Sequence, residues 1–401
     1  MASLDREGTV LMAYGDYQIE LYLGALGGNL PQHPFTYAEL EADALAALPP
    51  ELRTYVAGGS GTESTQRANA TAFDRWALVP RMLRASAERD LSVGLFGTTV
   101  PSPLMMAPVG VLGLVTPDQH GDVHGAEVSA ATGVPFIGST LMSDPLEDVA
   151  AARGDAPLWF QLYTPKNREL AASLVSRAEK AGYDAIVITL DTWVPGWRPR
   201  DLASGNFPQL RGKALANYTS DPVFAEMTGP DPDLGTTVMT WVGTFGNPLS
   251  WEDLAWLRSL TDLPLVLKGI CHPDDARRAL DSGVDGIYVS NHGGRQANGG
   301  GAAIDWLPGV VEAVRTHPTR SEAPVVFDSG VRTGADVVKA LALGATTVAV
   351  GRPYVYGLAL GGVPGATHVL RSLQAETDLI MAVDGYPRRS DLTPDALVRV
   401  P

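Results

Sequence analysis

The chain is poor in basic residues and nearly devoid of cysteine. Thirty Lys and Arg stand against 45 Asp and Glu, a formal charge of −15 over 401 residues. A nucleic-acid partner requires a basic face to neutralise phosphates, so that class of function is set aside. With Cys271 as the single cysteine, neither an intrachain disulfide nor a cysteine-based metal cluster can form. The opening Met1-Ala2-Ser3-Leu4-Asp5-Arg6-Glu7 has no apolar run behind a basic cluster, so no signal peptide is expected. Long apolar runs are missing too. Residues 100–117 carry no charge, yet Pro101, Pro103, Pro108 and Pro117 interrupt them, which argues against a membrane span. No Gly-x-Gly-x-x-Gly opens a helix after a strand, so a Rossmann dinucleotide site is not indicated. A soluble, cytoplasmic protein is expected.

What remains is an ordinary globular composition, 45% hydrophobic and 19% charged, enough for one large domain or two smaller ones. Residues 1–99 read as a helical segment. Thr36 and Glu39 fit a capping box, Pro49-Pro50 restarts the chain, and a second helix runs through Tyr55 into the glycine cluster Gly58-Gly59-Ser60-Gly61. From residue 100 to 385 short apolar runs alternate with helical stretches. Eight strands are expected, at 104–110, 135–140, 158–163, 185–191, 264–270, 286–291, 324–330 and 347–353. Helices are expected at 167–182, 273–283 and 333–344, several closed by a glycine. This is the specification of an α/β protein, a (β/α)8 TIM barrel, which keeps its chemistry at the C-terminal ends of its strands. Residues 361–365 read as a loop before the last helix. Residues 386–401 are a tail available for subunit contacts.

Polar residues do gather at those strand ends. Ser139 follows strand two, Gln161 and Tyr163 lie on strand three, and Thr189 and Asp191 on strand four. Lys268 closes strand five, Ser290, His292 and Arg295 follow strand six, Asp328 and Arg332 strand seven, and Gly351 and Arg352 strand eight. The densest stretch is Ser290-Asn291-His292-Gly293-Gly294-Arg295-Gln296, where an imidazole and a guanidinium three residues apart can address one small anion. His292 has no His or Cys at ligand spacing, so no metal is expected. A lysine at the end of an apolar strand needs an anionic partner.

This string, with Gln161-Leu162-Tyr163, Thr189-Leu190-Asp191-Thr192, Lys268-Gly269 and Asp328-Ser329-Gly330-Val331-Arg332, resembles the signature of the FMN-dependent α-hydroxy acid oxidase and dehydrogenase family over most of residues 37–385. The resemblance implies FMN as cofactor and a small 2-hydroxy acid as substrate, with O₂ as the second. It implies that Tyr55, Tyr163, Arg198 and Arg295 hold the substrate, that His292 takes the α-hydroxyl proton, and that Asp191 pairs with His292 and raises its affinity for that proton. For FMN it implies Pro108, Val109 and Gly110 beside the ring, Ser139, Gln161, Thr189, Lys268 and Ser290 at its polar edges, and Asp328, Ser329, Gly330, Val331, Arg332, Gly351 and Arg352 around the phosphate. A homotetramer or larger homo-oligomer is expected on the same ground.

Within the family, residues 13–18, 191–193 and 196–202 are similar to the lactate 2-monooxygenase branch, whose members turn lactate and O₂ into acetate, CO₂ and water. Leu141 departs from glycolate oxidases, which commonly carry a tryptophan there. The rival reading is an oxidase releasing a 2-oxo acid and peroxide, on lactate or on a larger, mandelate-like acid. A reading from another class is a non-redox barrel isomerase or a phosphate-ligand binding protein. The long connection 203–250, rich in Gly, Pro and Asp, is expected to be a lid, with Trp193 and Trp197 near its base.

Overall fold

The computed structural model describes residues 13–400, together with the backbone of Ser3–Leu4 and Val10–Leu11. The leader reading of residues 1–7 therefore lies largely outside the described residues. Eight parallel strands close into a barrel in chain order: β1 Leu104–Met106, β2 Phe136–Ser139, β3 Leu158–Leu162, β4 Ala185–Thr189, β5 Leu265–Lys268, β6 Gly286–Val289, β7 Val325–Phe327 and β8 Thr347–Val350. The strands end up to four residues sooner than expected, because the chain turns outward at the mouth into the loops that carry the polar residues. Helices 168–180, 273–281 and 334–342 fill the expected positions, capped at their N-termini by the side chains of Asn167, His272 and Thr333.

The period of two along a strand sorts the interior into layers. Met105, Ile137, Trp159, Val187, Val266, Tyr288, Val326 and Ala349 form one buried cluster inside the barrel. Two residues further along the same strands stand Ala107, Ser139, Gln161, Thr189, Lys268, Ser290, Asp328 and Gly351. They share the inward register, and all but Ala107 and Gly351 are polar, so the barrel changes from apolar to mostly polar in one step toward its mouth.

The N-terminal segment is not helical throughout. After helices Tyr37–Ala47, with Thr36 accepting from the Glu39 amide, and Pro50–Ala57, it forms the hairpin Val93–Leu95/Thr98–Val100, which ends inside the expected barrel region. Val93, Leu95 and Val100 join the interior cluster, and Phe96 packs 5.5 Å from Trp159, so the hairpin plugs the N-terminal end. Three-residue strands leave too little alternation to be read from sequence. The tail also folds onto this chain. Leu397–Arg399 pairs with Trp76–Leu78, and Tyr386, Leu392, Ala396 and Leu397 are buried.

Two connections depart from the loops the sequence suggests. Residues 352–384 are one helical element, broken at Gly361 and Gly362 by non-helical backbone. Residues 199–248 are mostly short helices, Pro199–Ser204, Pro208–Arg211, Ala216–Thr219, Pro222–Thr228 and Leu234–Thr244. The Pro, Asp and Gly residues that suggest a loop are their punctuation. Pro199, Pro208 and Pro222 sit in first turns, Asp221 and Asp233 are side-chain N-caps, and Gly205 and Gly212 end helices at positive φ. Trp193 and Trp197 are 50% and 72% exposed, so neither packs in the barrel wall. Among the described residues no helix is long and apolar enough to cross a membrane.

Candidate active site

The turn after β6 is held from several sides. Lys268 Nζ donates to Ser290 Oγ at 3.1 Å, and Ser290 Oγ accepts from the His292 amide at 3.0 Å. Asn291 and Asn69 exchange side-chain hydrogen bonds of 2.8 and 2.7 Å, which tie the turn to the N-terminal segment. His292 itself takes a φ of 57°, an uncommon conformation for a residue with a Cβ, and Gly293 and Gly294 follow it into the left-handed region. Gly294 admits no side chain, since a Cβ there would fall 2.5 Å from the Gln66 amide. Gln296 completes the stretch. Its Nε2 donates to the carbonyls of Asp191 and Val194, while its Oε1 accepts from Arg198 Nη2 at 2.7 Å.

His292 Nδ1 lies 2.9 Å from Asp191 Oδ1, and Thr192 Oγ1 donates to the same carboxylate oxygen at 2.9 Å. A carboxylate here fixes Nδ1 as the protonated nitrogen and leaves Nε2 to act as the acceptor. Burial works against ionising Asp191, but His292 and Lys268 outweigh it and hold the carboxyl below its usual range. For His292 the balance runs the other way. Burial lowers its pKa, Asp191 raises it, and the net shift is downward, so the expected rise in proton affinity is only partial. The net effect favours the neutral form of the imidazole, the form able to accept a proton.

Beside it stand three guanidinia. Arg295 Nη1 donates to the carbonyl of Gly58 at 2.5 Å, Arg198 Nε to the carbonyl of Arg295 at 3.0 Å, and Arg352 Nη2 to Gln66 Oε1 at 2.7 Å. Tyr55 lies beneath two of them, its ring centre 5.2 Å from Arg295 Cζ and 5.9 Å from Arg198 Cζ. Burial, then Arg198 and Arg352, pull the Arg295 pKa down. Among the described residues the nearest carboxylate to Arg198 is Asp201 at 4.0 Å, and neither Arg295 nor Arg352 has an ion-pair partner. Buried cations without counter-charges are unfavourable until an anion joins them.

Among the described residues the same pocket is lined by Lys268, Arg198, Arg295, Arg332 and Arg352 but by one carboxylate, Asp328, so its lining is cationic in a chain of strongly negative charge. Its walls include Tyr55, Tyr163, Pro108, Val109, Gly110, His292, Ser329, Gly330, Val331 and Gly351. Tyr163 is buried against Phe245, ring centres 5.6 Å apart, and burial raises its pKa. Asp191, Ser139, Gln161, Thr189 and Ser290 do not line this pocket and stand behind its surface. Ser139 Oγ and the Thr140 amide both donate to Gln161 Oε1, which leaves Gln161 Nε2 buried and unpartnered, as is Thr189 Oγ1.

These orphaned groups test the fit of a planar, polar-edged ring. A buried donor and hydroxyl at the barrel mouth call for a guest with acceptors on its rim. After β7 the amides of Ser329, Gly330 and Val331 have no hydrogen-bond partner among the described residues, and after β8 helix 352–384 begins at Gly351 without a side-chain cap. Free amides at a helix N-terminus, with Arg332 and Arg352 nearby, suit a phosphate, the usual use of this corner of a barrel. The residues present therefore fit a flavin mononucleotide.

The pocket also contains residues that the sequence did not single out. Tyr37, Gln66, Asn69 and Thr192 come from the N-terminal segment and the turn after β4, and Phe207, Gln209, Trp241 and Phe245 from the helical connection 199–248. Thr192 belongs to a quoted motif and could have been found by its place beside Asp191. The residues of that connection had no local signal, because their helices were read as loop.

The chain matches the family described as FMN-dependent dehydrogenase over residues 44–399. It is 43% identical over 394 residues to an FMN-dependent alpha-hydroxy acid dehydrogenase of Penicillium citrinum, covering 96% of each chain. It is 40% identical over 366 residues to an L-lactate oxidase of Lysinibacillus sphaericus, covering 91% of this chain and 93% of that one. In structure it is similar to a lactate oxidase of Pediococcus acidilactici, with a TM-score of 0.81 and 36% identity over 91% of this chain and 94% of the other.

Proposed function

Since this chain belongs to the FMN-dependent dehydrogenase family, and is an FMN-dependent α-hydroxy acid oxidoreductase, we propose that its substrate is L-lactate and its outcome that of a 2-monooxygenase. The observation that carries the substrate class is the cluster of Arg198, Arg295 and Arg352 beside His292, in which the 4.0 Å contact of Arg198 with Asp201 is the one ion pair among the described residues. Arg198 and Arg295, over the Tyr55 ring, hold the carboxylate. His292 Nε2 then faces the α-hydroxyl and takes its proton, and Asp191, 2.9 Å from Nδ1, compensates the imidazolium that forms. Tyr163 closes the side of the pocket next to the hydroxyl and excludes water.

FMN, when bound, accepts the two electrons and the hydrogen carried by Cα. Lys268 would stand at the ring edge that gains negative charge, with Gln161 Nε2 and Thr189 Oγ1 completing the rim. Ser329, Gly330, Val331, Arg332, Gly351 and Arg352 would hold the phosphate. The main chain at Pro108, Val109 and Gly110 would lie along the ring.

The 2-monooxygenase outcome requires pyruvate and peroxide to meet before either leaves, giving acetate, CO₂ and water. The helical lid supports this, because Phe207, Trp241 and Phe245 pack together over the pocket, ring centres of the last two 4.9 Å apart. The experiment is to reduce the enzyme with L-lactate, admit oxygen, and assay acetate against pyruvate plus peroxide. Acetate supports the proposal; pyruvate with peroxide would make the enzyme an oxidase instead. Self-association as a homotetramer is part of the same reading, since Trp197, Leu202, Leu210 and Met239 leave an apolar lid surface exposed.

A further inference from the structure

The tetrahedral Cα of a 2-hydroxy acid leaves one wall of the pocket unassigned. With the carboxylate at Arg198 and Arg295, the hydroxyl at His292 and the Cα hydrogen toward Pro108 to Gly110, the fourth substituent must face the remaining side. That side is lined by Leu141, Phe207, Gln209, Trp241 and Phe245. Most of it is apolar, as a methyl group requires. Gln209 is the exception.

Gln209 is 1% exposed, and among the described residues neither its Oε1 nor its Nε2 has a hydrogen-bond partner. Its backbone is fixed, because the carbonyls of Phe207, Pro208 and Gln209 accept from the amides of Leu210, Lys213 and Gly212 at 3.0, 3.1 and 3.0 Å. A carboxamide buried in this way is unfavourable until a guest supplies both a donor and an acceptor. A hydroxyl does both.

Resting on the reading of the site given above, we propose that Gln209 is a specificity-determining residue. It forms a subsite for 2-hydroxy acids that carry a hydroxyl at C3 or C4. Lactate satisfies the other three positions and leaves the amide unmatched, so it is accepted without being the best substrate. Sites built around a buried polar group discriminate strongly against analogues that lack its partner.

The test uses the FMN-loaded enzyme and two near-isosteric pairs, in which a hydroxyl replaces a methyl. These are L-glycerate with L-2-hydroxybutyrate, and L-2,4-dihydroxybutyrate with L-2-hydroxypentanoate. The rate and concentration dependence of anaerobic flavin bleaching give a selectivity ratio for each pair. The wild-type enzyme is expected to favour the hydroxylated member of at least one pair by about ten- to a hundredfold. Gln209→Leu should abolish that preference, whereas a merely structural role would change both members alike. A wild-type ratio favouring the methyl member in both pairs, which needs no variant to fold, overturns the subsite. So does a ratio that Gln209→Leu leaves unmoved. Bleaching by L-lactate but by none of the four acids overturns the subsite alone, whereas bleaching by none of the five would overturn the underlying reading as well.

Discussion

Two layers of one barrel, two residues apart on the same strands, behave as different materials. Ile137, Trp159, Val266 and Tyr288 fill the lower layer, and Ser139, Gln161, Lys268 and Ser290 form the upper one. Backbone geometry is common to both, so the difference lies in the side chains and in what covers each end. The hairpin Val93–Val100 seals the lower end with apolar side chains. The upper end keeps buried polar atoms without partners, and so retains an appetite for a guest. The comparison teaches that stability and chemistry are separated here by one step of the strand period.

Substitutions should respect that separation. The largest effect is expected for His292→Gln, which removes the base: kcat should fall by about 10²- to 10⁴-fold, with FMN content unchanged, as single-turnover reduction will measure. Trp159→Ala in the lower layer should lower stability by about 3–5 kcal/mol through the cavity it leaves, read as a drop in Tm and denaturation midpoint. If Trp159→Ala instead left Tm unaltered and changed KM, the layers would not be separate. Arg295→Leu should raise KM by about ten- to a hundredfold, the worth of a hydrogen bond to a charged group, with a smaller loss in kcat.

A subtler pair of effects sharpens the upper layer. His292 must be neutral to act, and its pKa lies below the ordinary value, so kcat/KM should hold through neutral pH and fall only as pH drops through that lowered value. Asp191→Asn removes the group that raises this pKa. The acid limb should move to still lower pH, and proton removal should slow more than binding weakens. The smallest effect is expected for Gly110→Ala, whose Cβ would come 3.2 Å from Leu141 Cβ. A several-fold shift from acetate toward pyruvate and peroxide is expected, measured as the product ratio.

The upper layer was far more legible in the sequence than its cover. His292, Lys268, Asp328 and Arg352 each end an apolar run, and a strand period carries them to one mouth, so the site could be read residue by residue. Asp191 could be paired with His292 for the same reason, although the sign of the net shift on the histidine could not, since burial is a property of the assembled fold. The hairpin plug and the pairing of Leu397–Arg399 with Trp76–Leu78 escaped because three residues display no period. The short helices of residues 199–244 escaped because Pro, Asp and Gly serve equally as loop residues and as caps of short helices. Gln209 is the clearest loss, a buried amide in a stretch that read as irregular.

The most direct measurement of the site's chemistry is the visible spectrum of the purified, FMN-loaded enzyme before and after L-lactate is added without oxygen. A yellow protein whose flavin absorbance bleaches with saturation in lactate is expected, and a His292→Gln variant that binds FMN yet bleaches at least about a hundredfold more slowly. A wild-type flavin that no L-2-hydroxy acid can bleach, or a His292→Gln variant reduced at the wild-type rate, would contradict that chemistry.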